Sequence, residues 1–108
     1  SSMNVAIENF IQLNKPNKIA ILGDMFELGI ESYEEHKKIK NLILNQNDIK
    51  FYFIGKDFYQ HKIVQSNIFF YETYELFLND FKENKLENNL ILIKGSRGMA
   101  LERVLEII

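Results

Sequence analysis

Four short stretches of the chain consist almost entirely of apolar residues, and longer segments with apolar residues at every third or fourth position separate them. The apolar stretches lie at residues 18–23, 51–55, 68–71 and 90–95, and three of them end in glycine. A short apolar run that stops at a turn residue is typical of a strand buried on both faces. We therefore predict four buried strands.

The segments between these strands predict amphipathic helices. Ser2 is available to cap the first helix. Ser32 and Glu35 have the spacing of a capping box at the start of the second, and Asp57 can cap the third. Helices are thus predicted at residues 3–11, from Ser32, at 57–64, from Thr73 and after Gly98. The last helix is predicted to bury one side, formed by Met99, Leu101, Val104, Leu105 and Ile108.

Alternation of buried strands with amphipathic helices predicts an α/β fold. With right-handed crossovers, we expect a three-layer Rossmann-like domain, with a mostly parallel sheet of about four strands and helices on both faces. The expected strand order is 3-2-1-4, which makes the first and fourth strands neighbours whose carboxyl ends open a crevice. The whole chain, residues 1–108, is predicted to be one domain.

Composition excludes several classes of function. A net charge of -2 gives no electrostatic reason to expect binding to nucleic acid or to an acidic membrane surface. The absence of cysteine excludes disulfides, thiolate metal sites and cysteine nucleophiles. No apolar run approaches the roughly 20 residues that span a bilayer, and the N-terminus does not resemble a signal peptide. We expect a cytoplasmic monomer that binds neither nucleic acid nor membranes.

The loop after the first strand carries two carboxylates between glycines, in residues 23–29. Asp24 and Glu27 lie at the carboxyl edge of a central strand, where they could bind an amine, a metal or a ribose hydroxyl. Alternatively, Asp24 only caps the next turn, which is common for an aspartate after a strand, and the apolar residues of the loop cover the end of the sheet.

The loop after the fourth strand, residues 94–98, combines Lys94, Ser96 and Arg97 with two glycines at a predicted helix start. Free backbone N–H groups, a hydroxyl and two cations suit an anion, and a guanidinium can bind a carboxylate through two hydrogen bonds. The spacing matches neither a P-loop nor a dinucleotide-binding loop. In the alternative interpretation, Ser96 caps the helix and both cations are solvated.

Both histidines lie in polar surroundings. His36 is flanked by charged residues on its predicted helix, and we expect it and His61 to be solvated. No histidine pair has the spacing of a metal site, and no Ser/His/acid set is recognisable. We therefore predict neither metal ligands nor catalytic residues in this chain.

The two loops resemble the signatures of the Mur ligases that add D-alanyl-D-alanine. Residues 21–29 with Ser32 and His36 are similar to G-D-M-x-E-L-G…H, and residues 92–99 with Glu102 and Val104 are similar to K-G-S-R-x-M-x-x-E-x-V. The resemblance extends over the whole chain. It implies the C-terminal, Rossmann-like domain of a three-domain amide ligase of bacterial cell-wall synthesis.

The resemblance implies that different domains of the enzyme bind different ligands. ATP and Mg²⁺ would be bound mainly by the central domain, which this chain lacks together with the N-terminal domain, so the chain alone is expected to be inactive and free of cofactors. The substrates of the whole enzyme would be D-alanyl-D-alanine and UDP-N-acetylmuramoyl-tripeptide. The substrate-binding residues implied for this domain are Asp24, Glu27, Lys94, Ser96 and Arg97, with His36 a possible sixth of unassigned role.

Other interpretations remain open. A domain of another Mur or folylpolyglutamate-type ligase should carry different loops after the first and fourth strands. A stand-alone flavodoxin-like binding module, for example a phospho-receiver, would have paired acids after its first strand and an acid after its third; here only Asp24 follows the first, and none is placed at Tyr71. A structural fragment with a vestigial crevice is a third possibility.

Overall fold

A four-stranded parallel sheet forms the centre of the computed structural model, which describes residues 1–82 and 86–108. Its order is β3-β2-β1-β4, and every neighbouring pair is parallel. The prediction of an α/β fold with strand order 3-2-1-4 is therefore confirmed. The strands are β1 (Lys18–Gly23), β2 (Ile49–Ile54), β3 (Ile68–Tyr71) and β4 (Leu90–Lys94).

Helices cover the sheet on both faces. The α-helices are α1 (Ser2–Gln12), α2 (Ser32–Leu42), α3 (Lys56–Tyr59) and α4 (Tyr74–Phe81), and 3-10 turns occupy Gly29–Glu31, Arg97–Met99 and Leu101–Glu106. Residues of α1, α2 and α3 pack with one face of the sheet. Residues of α4 and of the last 3-10 segment pack with the other. Every residue of β1 is buried, as the predicted central position requires.

Helix α1 is closed at both ends by side chains. The hydroxyl of Ser1, rather than that of Ser2, accepts from the Asn4 N–H at its start. At its end, the buried ammonium of Lys18 donates to the carbonyl oxygens of Phe10, Ile11 and Leu13 at 2.9, 3.0 and 2.7 Å. A cation at a helix C-terminus is stabilised by the helix dipole, so the first residue of β1 fixes the end of α1.

Two predicted helix starts are wrong in detail. Ser32 does not form a capping box, because the residue at the cap position of α2 is Glu31 and makes no side-chain cap bond. The Ser32 hydroxyl instead lies 3.2 Å from Nδ1 of His36. Helix α3 is shorter than the predicted 57–64, and its first N–H groups are bound by the Asp24 side chain instead of by Asp57. By contrast, α4 starts where predicted, and the Thr73 side chain caps it.

The predicted last α-helix is wrong, because two 3-10 turns separated by a left-handed residue take its place. Ala100 has φ 51° and ψ 42°, and the Arg103 guanidinium fixes this turn by donating to the carbonyls of Met99 and Ala100 at 2.9 and 2.8 Å. A 3-10 segment does not keep the helical period of 3.6 residues. Accordingly, Leu101 and Val104 are buried as predicted, whereas Leu105 and Ile108 are 63% and 48% exposed.

Within the part of the chain that the structure describes, no helix is both long enough and apolar enough to cross a membrane.

Candidate functional site

The loops after β1 and β4 meet at the carboxyl edge of the sheet, where their glycines permit close approach. A Cβ atom on Gly95 would lie 2.9 Å from the Gly23 Cα, and one on Gly98 would lie 2.8 Å from the Phe26 ring. Either contact is too short for a side chain. The two loops therefore touch through their backbones and through the ring of Phe26.

Ser96 joins the two loops by hydrogen bonds. Its N–H donates to the Asp24 carbonyl at 3.0 Å, and its hydroxyl oxygen accepts from the Phe26 N–H at 2.6 Å. This pair of bonds, which we call the loop clasp, spans 70 residues of sequence. The Ser96 hydroxyl does not cap a helix, since it is turned towards Phe26 and the following 3-10 turn has no side-chain cap bond.

The carboxylate of Asp24 faces the interior of the protein and is 3% exposed. Its two oxygens accept from the N–H groups of Asp57 and Phe58, at 2.9 and 3.0 Å, at the start of α3. Gly55 has φ 125°, and a side chain there would overlap the carboxylate. Burial raises the pKa of Asp24, although both N–H donors act in the opposite direction. The geometry thus gives Asp24 a structural role as the cap of α3.

His36 is fully buried, so the expectation of a solvated side chain is wrong. Its Nε2 accepts from the Met25 N–H at 2.9 Å, and its Nδ1 lies 2.7 Å from the Ser32 carbonyl, to which it donates. The ring also packs edge-on against Phe58, with centroids 4.6 Å apart. The neutral tautomer protonated at Nδ1 satisfies both bonds. One signal in the sequence is that His36 precedes the buried Ile39 by three residues, on the same helix face.

His61 is also buried, contrary to expectation. Its ring packs edge-on against Tyr33 with centroids 4.6 Å apart, and its Nε2 has no partner among the described residues. Burial lowers the pKa of His61, and the nearby Lys40 ammonium adds to the effect. A neutral ring in an apolar contact accounts for this position.

Asp24, His36 and Asp57 offer ligand atoms within 4.8 Å of one another. Nε2 of His36 lies 3.9 Å from the Asp24 carboxylate and 4.0 Å from that of Asp57. However, the single lone pair of this nitrogen already accepts the buried Met25 N–H, which would lose its partner if a metal took it. The arrangement is better described as a hydrogen-bonded network than as a metal centre. Asp57 was predicted only as a helix cap, and no pattern in the sequence indicated that it lies beside Asp24 and His36.

The remaining predicted residues lie at the surface of the loops. Lys94 is half-buried, whereas Arg97 and Glu27 are exposed, and Glu27 has a positive φ of 64°. Arg97 begins a 3-10 turn of three residues, which is too short to supply the helix N-terminus that the anion argument assumed. Lys94 and Ser96 nevertheless stay beside Arg97 on the same edge.

Two shallow pockets flank the backbone of β4 where it ends. One is lined by four apolar side chains together with Ser1, Ser2, Lys94, Gly95 and Ser96. The other contains Arg97 and Glu102, again with Lys94 and Ser96. Lys94 and Ser96 therefore line both pockets and Arg97 lines one of them. Asp24 and Glu27 line neither of the two. The apolar lining of the first pocket is Met3, Met25, Phe26 and Leu28.

Comparison with known proteins identifies relatives along the whole chain, although no protein-family model matches it. The chain is 32% identical over 111 residues to the UDP-N-acetylmuramoyl-tripeptide–D-alanyl-D-alanine ligase of Rickettsia prowazekii, covering 97% of this chain and 24% of the relative. It is 31% identical over 109 residues to the ligase of the same name from Borreliella burgdorferi (95% and 24%). For that of Buchnera aphidicola, identity is 36% over 110 residues (98% and 23%).

Solved structures share the fold. A MurF ligase from Thermotoga maritima, in complex with ADP, superposes with a TM-score of 0.73 at 24% identity, covering 98% of this chain and 24% of that one. MurF from Acinetobacter baumannii gives a TM-score of 0.73 at 20% identity (97% and 24%). This chain thus spans about a quarter of the length of its relatives. Over that quarter, it is similar in sequence to UDP-N-acetylmuramoyl-tripeptide–D-alanyl-D-alanine ligases and in fold to MurF structures.

Proposed function

We propose that this chain is the C-terminal domain of an ATP-dependent ligase that adds D-alanyl-D-alanine to UDP-N-acetylmuramoyl-tripeptide in the bacterial cytoplasm, and that it is inactive by itself. Relatives bearing that name match along almost the entire chain. The observation that carries the proposal is the loop clasp, because it joins at one sheet edge the two loops that resemble the ligase signatures.

ATP and Mg²⁺ are assigned to the part of the enzyme outside this chain. Phosphoryl transfer requires a phosphate cradle and metal ligands, and the 108 residues contain no P-loop sequence. In the described residues, Asp24 and His36 of the cluster of two aspartates and a histidine already accept from backbone N–H groups. The contribution of this domain is therefore to present the incoming dipeptide to the activated tripeptide.

The chemistry of the paired loops suits a small dipeptide with a free carboxylate. Lys94 and Arg97 supply positive charge, and Ser96 keeps its O–H free to donate because only its oxygen is used by Phe26. The neighbouring pocket includes four apolar side chains that can contact methyl groups. Charge-assisted hydrogen bonds to a carboxylate are roughly twice as strong as neutral ones, so these three residues support recognition of the dipeptide terminus.

The proposal predicts that Arg97 binds the dipeptide carboxylate in the intact ligase. Replacing Arg97 with alanine should cost about 1.5–3 kcal/mol of binding, or roughly ten- to a hundredfold in the dipeptide KM. Arg97→Lys keeps the charge but loses the two-pronged geometry, so it should also raise KM. Steady-state kinetics at varied dipeptide concentration, beside a thermal melt of each variant, measures both effects.

Arg103 provides the matched control, because its guanidinium is bound to the carbonyls of Met99 and Ala100. Arg103→Lys should lower the melting temperature and leave the dipeptide KM close to that of the wild type. An Arg97→Ala enzyme with unchanged KM would remove Arg97 from the site. An intact wild-type protein that does not ligate D-alanyl-D-alanine would contradict the proposed function as a whole.

A further inference from the structure

His36 ties helix α2 to the loop after β1, and the proposed function does not use it. Its Nδ1 donates to the Ser32 carbonyl one turn earlier in the same helix, at 2.7 Å. Its Nε2 accepts from the Met25 N–H at 2.9 Å. The ring is fully buried, and its two hydrogen bonds fix the distance between the Met25 backbone and helix α2.

The N–H groups of the consecutive residues Met25 and Phe26 are bound by two different side chains. The Met25 N–H is directed inward to His36, and the Phe26 N–H is directed outward to Ser96 at 2.6 Å. Rotation of the Met25 backbone away from His36 would also turn the Phe26 N–H away from Ser96. The hydrogen bond from Met25 to His36 and the loop clasp are thus coupled, because both depend on the orientation of the Met25 backbone.

The loop clasp in turn fixes the residues that face the pockets. Ser96 lies two residues after Lys94 and immediately before Arg97. Its N–H is bound to the Asp24 carbonyl at 3.0 Å, so the loop after β4 has two hydrogen bonds to the loop after β1. The path from α2 to both cations passes through His36, Met25, Phe26 and Ser96.

We propose that His36 is a positioning residue for substrate binding: its Nε2 holds the Met25 N–H, so that the loop clasp forms and Lys94 and Arg97 are correctly placed. The inference rests on the proposed function for its effect on substrate. His36 does not contact the substrate itself, because it is buried beneath the loop. Its contribution is a hydrogen-bond acceptor for the Met25 N–H.

Substitutions can separate this acceptor from the volume of the ring. Glutamine places an amide oxygen near the position of Nε2 and can accept from Met25. Asparagine reaches only the position of Nδ1, and leucine fills part of the space with no acceptor. His36→Gln therefore keeps the acceptor, His36→Asn displaces it, and His36→Leu removes it.

In the intact ligase, His36→Leu and His36→Asn should raise the dipeptide KM about ten- to a hundredfold, since misplacement by about 1 Å has effects of that order. His36→Gln should restore a KM close to that of the wild type. Ile39→Val and Ile39→Ala, in the same helix and fully buried, supply controls of graded stability. A KM that follows melting temperature alone across all five variants would overturn the proposal, as would a glutamine variant as impaired as leucine.

A spectroscopic measurement keeps this inference separate from the proposed function. With ¹⁵N-labelled histidine in the intact protein, the His36 signals, assigned by their loss in His36→Gln, should show a protonated Nδ1 and an unprotonated Nε2. Amide exchange at Phe26 and Ser96 should be faster in His36→Leu but not in Ile39→Val. The opposite tautomer, or unchanged exchange, would overturn the positioning role; loss of ligase activity in the wild type alone would overturn only the proposed function.

Discussion

At the scale of single residues, the buried side chains of Lys18, Asp24 and His36 bind backbone groups of other segments. Lys18 binds three carbonyls at the end of α1. Asp24 binds two N–H groups of α3, and His36 binds the N–H of Met25. Burying a polar group is costly unless it is hydrogen-bonded, and each of these groups meets that condition. They link helices and loops that the sheet alone does not connect.

Asp24 should make stability depend on pH in an unusual direction for an acid. Burial raises the pKa of its carboxyl above the ordinary 3.8, so the folded protein binds this proton more tightly than the unfolded chain does. The stability that it contributes is fully present below pH 3.8 and is lost as the pH rises through the folded-state pKa. The free energy of unfolding of the wild type should therefore fall relative to that of Asp24→Asn over this range.

Urea unfolding of both proteins at several pH values measures this difference. Asparagine is close in shape to the protonated carboxyl and, like it, offers one carbonyl oxygen to the two N–H groups. Groups far from Asp24 titrate equally in both proteins and cancel. A difference that grows in favour of the wild type with increasing pH would show that the N–H donors outweigh burial.

The sequence reveals these residues only in part. The partners of Asp24 lie 33 and 34 residues further along the chain, and no local pattern identifies a cap supplied from such a distance. His36 is different, because its spacing from Ile39 places it on the buried helix face. The charged neighbours on the other faces of α2 concealed that signal.

At the scale of elements, local patterns predict strands better than helix ends. All four strands were predicted from their apolar runs. The prediction that all four are buried is wrong for β3 and β4, which form the edges of the sheet and are mostly half-buried. Helix boundaries depend on which group binds the terminal N–H and C=O groups, and that group is often remote. The helix start at Thr73 was predicted, and Thr73 caps that helix itself, whereas the cap of α3 comes from the loop after β1.

The left-handed residue that interrupts the C-terminal segment should be a point of strain. Ala100 has φ 51°, a conformation that costs alanine roughly 1–2 kcal/mol. Glycine removes this cost but adds about 0.4–1 kcal/mol of freedom to the unfolded chain. Ala100→Gly should therefore raise the free energy of unfolding by about 0.5–1 kcal/mol, as measured by urea denaturation.

The matched control is the same substitution inside a regular helix. Ala6 lies in α1, where glycine costs roughly 0.5–1 kcal/mol. Ala6→Gly and Ala100→Gly should thus shift the denaturation midpoint in opposite directions. Two shifts of the same sign would show that the backbone at residue 100 is not left-handed.

At the scale of the whole molecule, the strand order and the meeting of the two loops could be predicted, and the details of the site could not. Right-handed crossovers between parallel strands leave few possible arrangements, and order 3-2-1-4 brings the ends of β1 and β4 together. The separation between the glycines and the direction of each side chain depend on contacts across the sheet. For that reason the sequence did not show that the carboxylate of Asp24 is directed to the start of α3.

The isolated 108-residue chain should fold as a monomer and show no ATP hydrolysis. Its radius of gyration of 13.0 Å equals the value of about 13 Å expected for a compact domain of this length. Its accessible surface of 6758 Å² is near the roughly 6,300 Å² expected for a monomer of 12.8 kDa. Aliphatic and aromatic residues fill a core on each face of the sheet, so folding does not require the rest of a ligase.

Three measurements on the purified chain decide this last prediction. Circular dichroism should show helix and strand with one cooperative thermal transition, and sedimentation equilibrium should give the mass of one chain. Phosphate release from ATP with Mg²⁺ should equal that of a buffer blank, because the loops at the sheet edge have cations for a carboxylate but no phosphate cradle. Turnover above the blank would place nucleotide chemistry in this domain and contradict the assignment of ATP to the remainder of the enzyme. A chain that is unfolded alone would instead show that the two cores need contacts from that remainder.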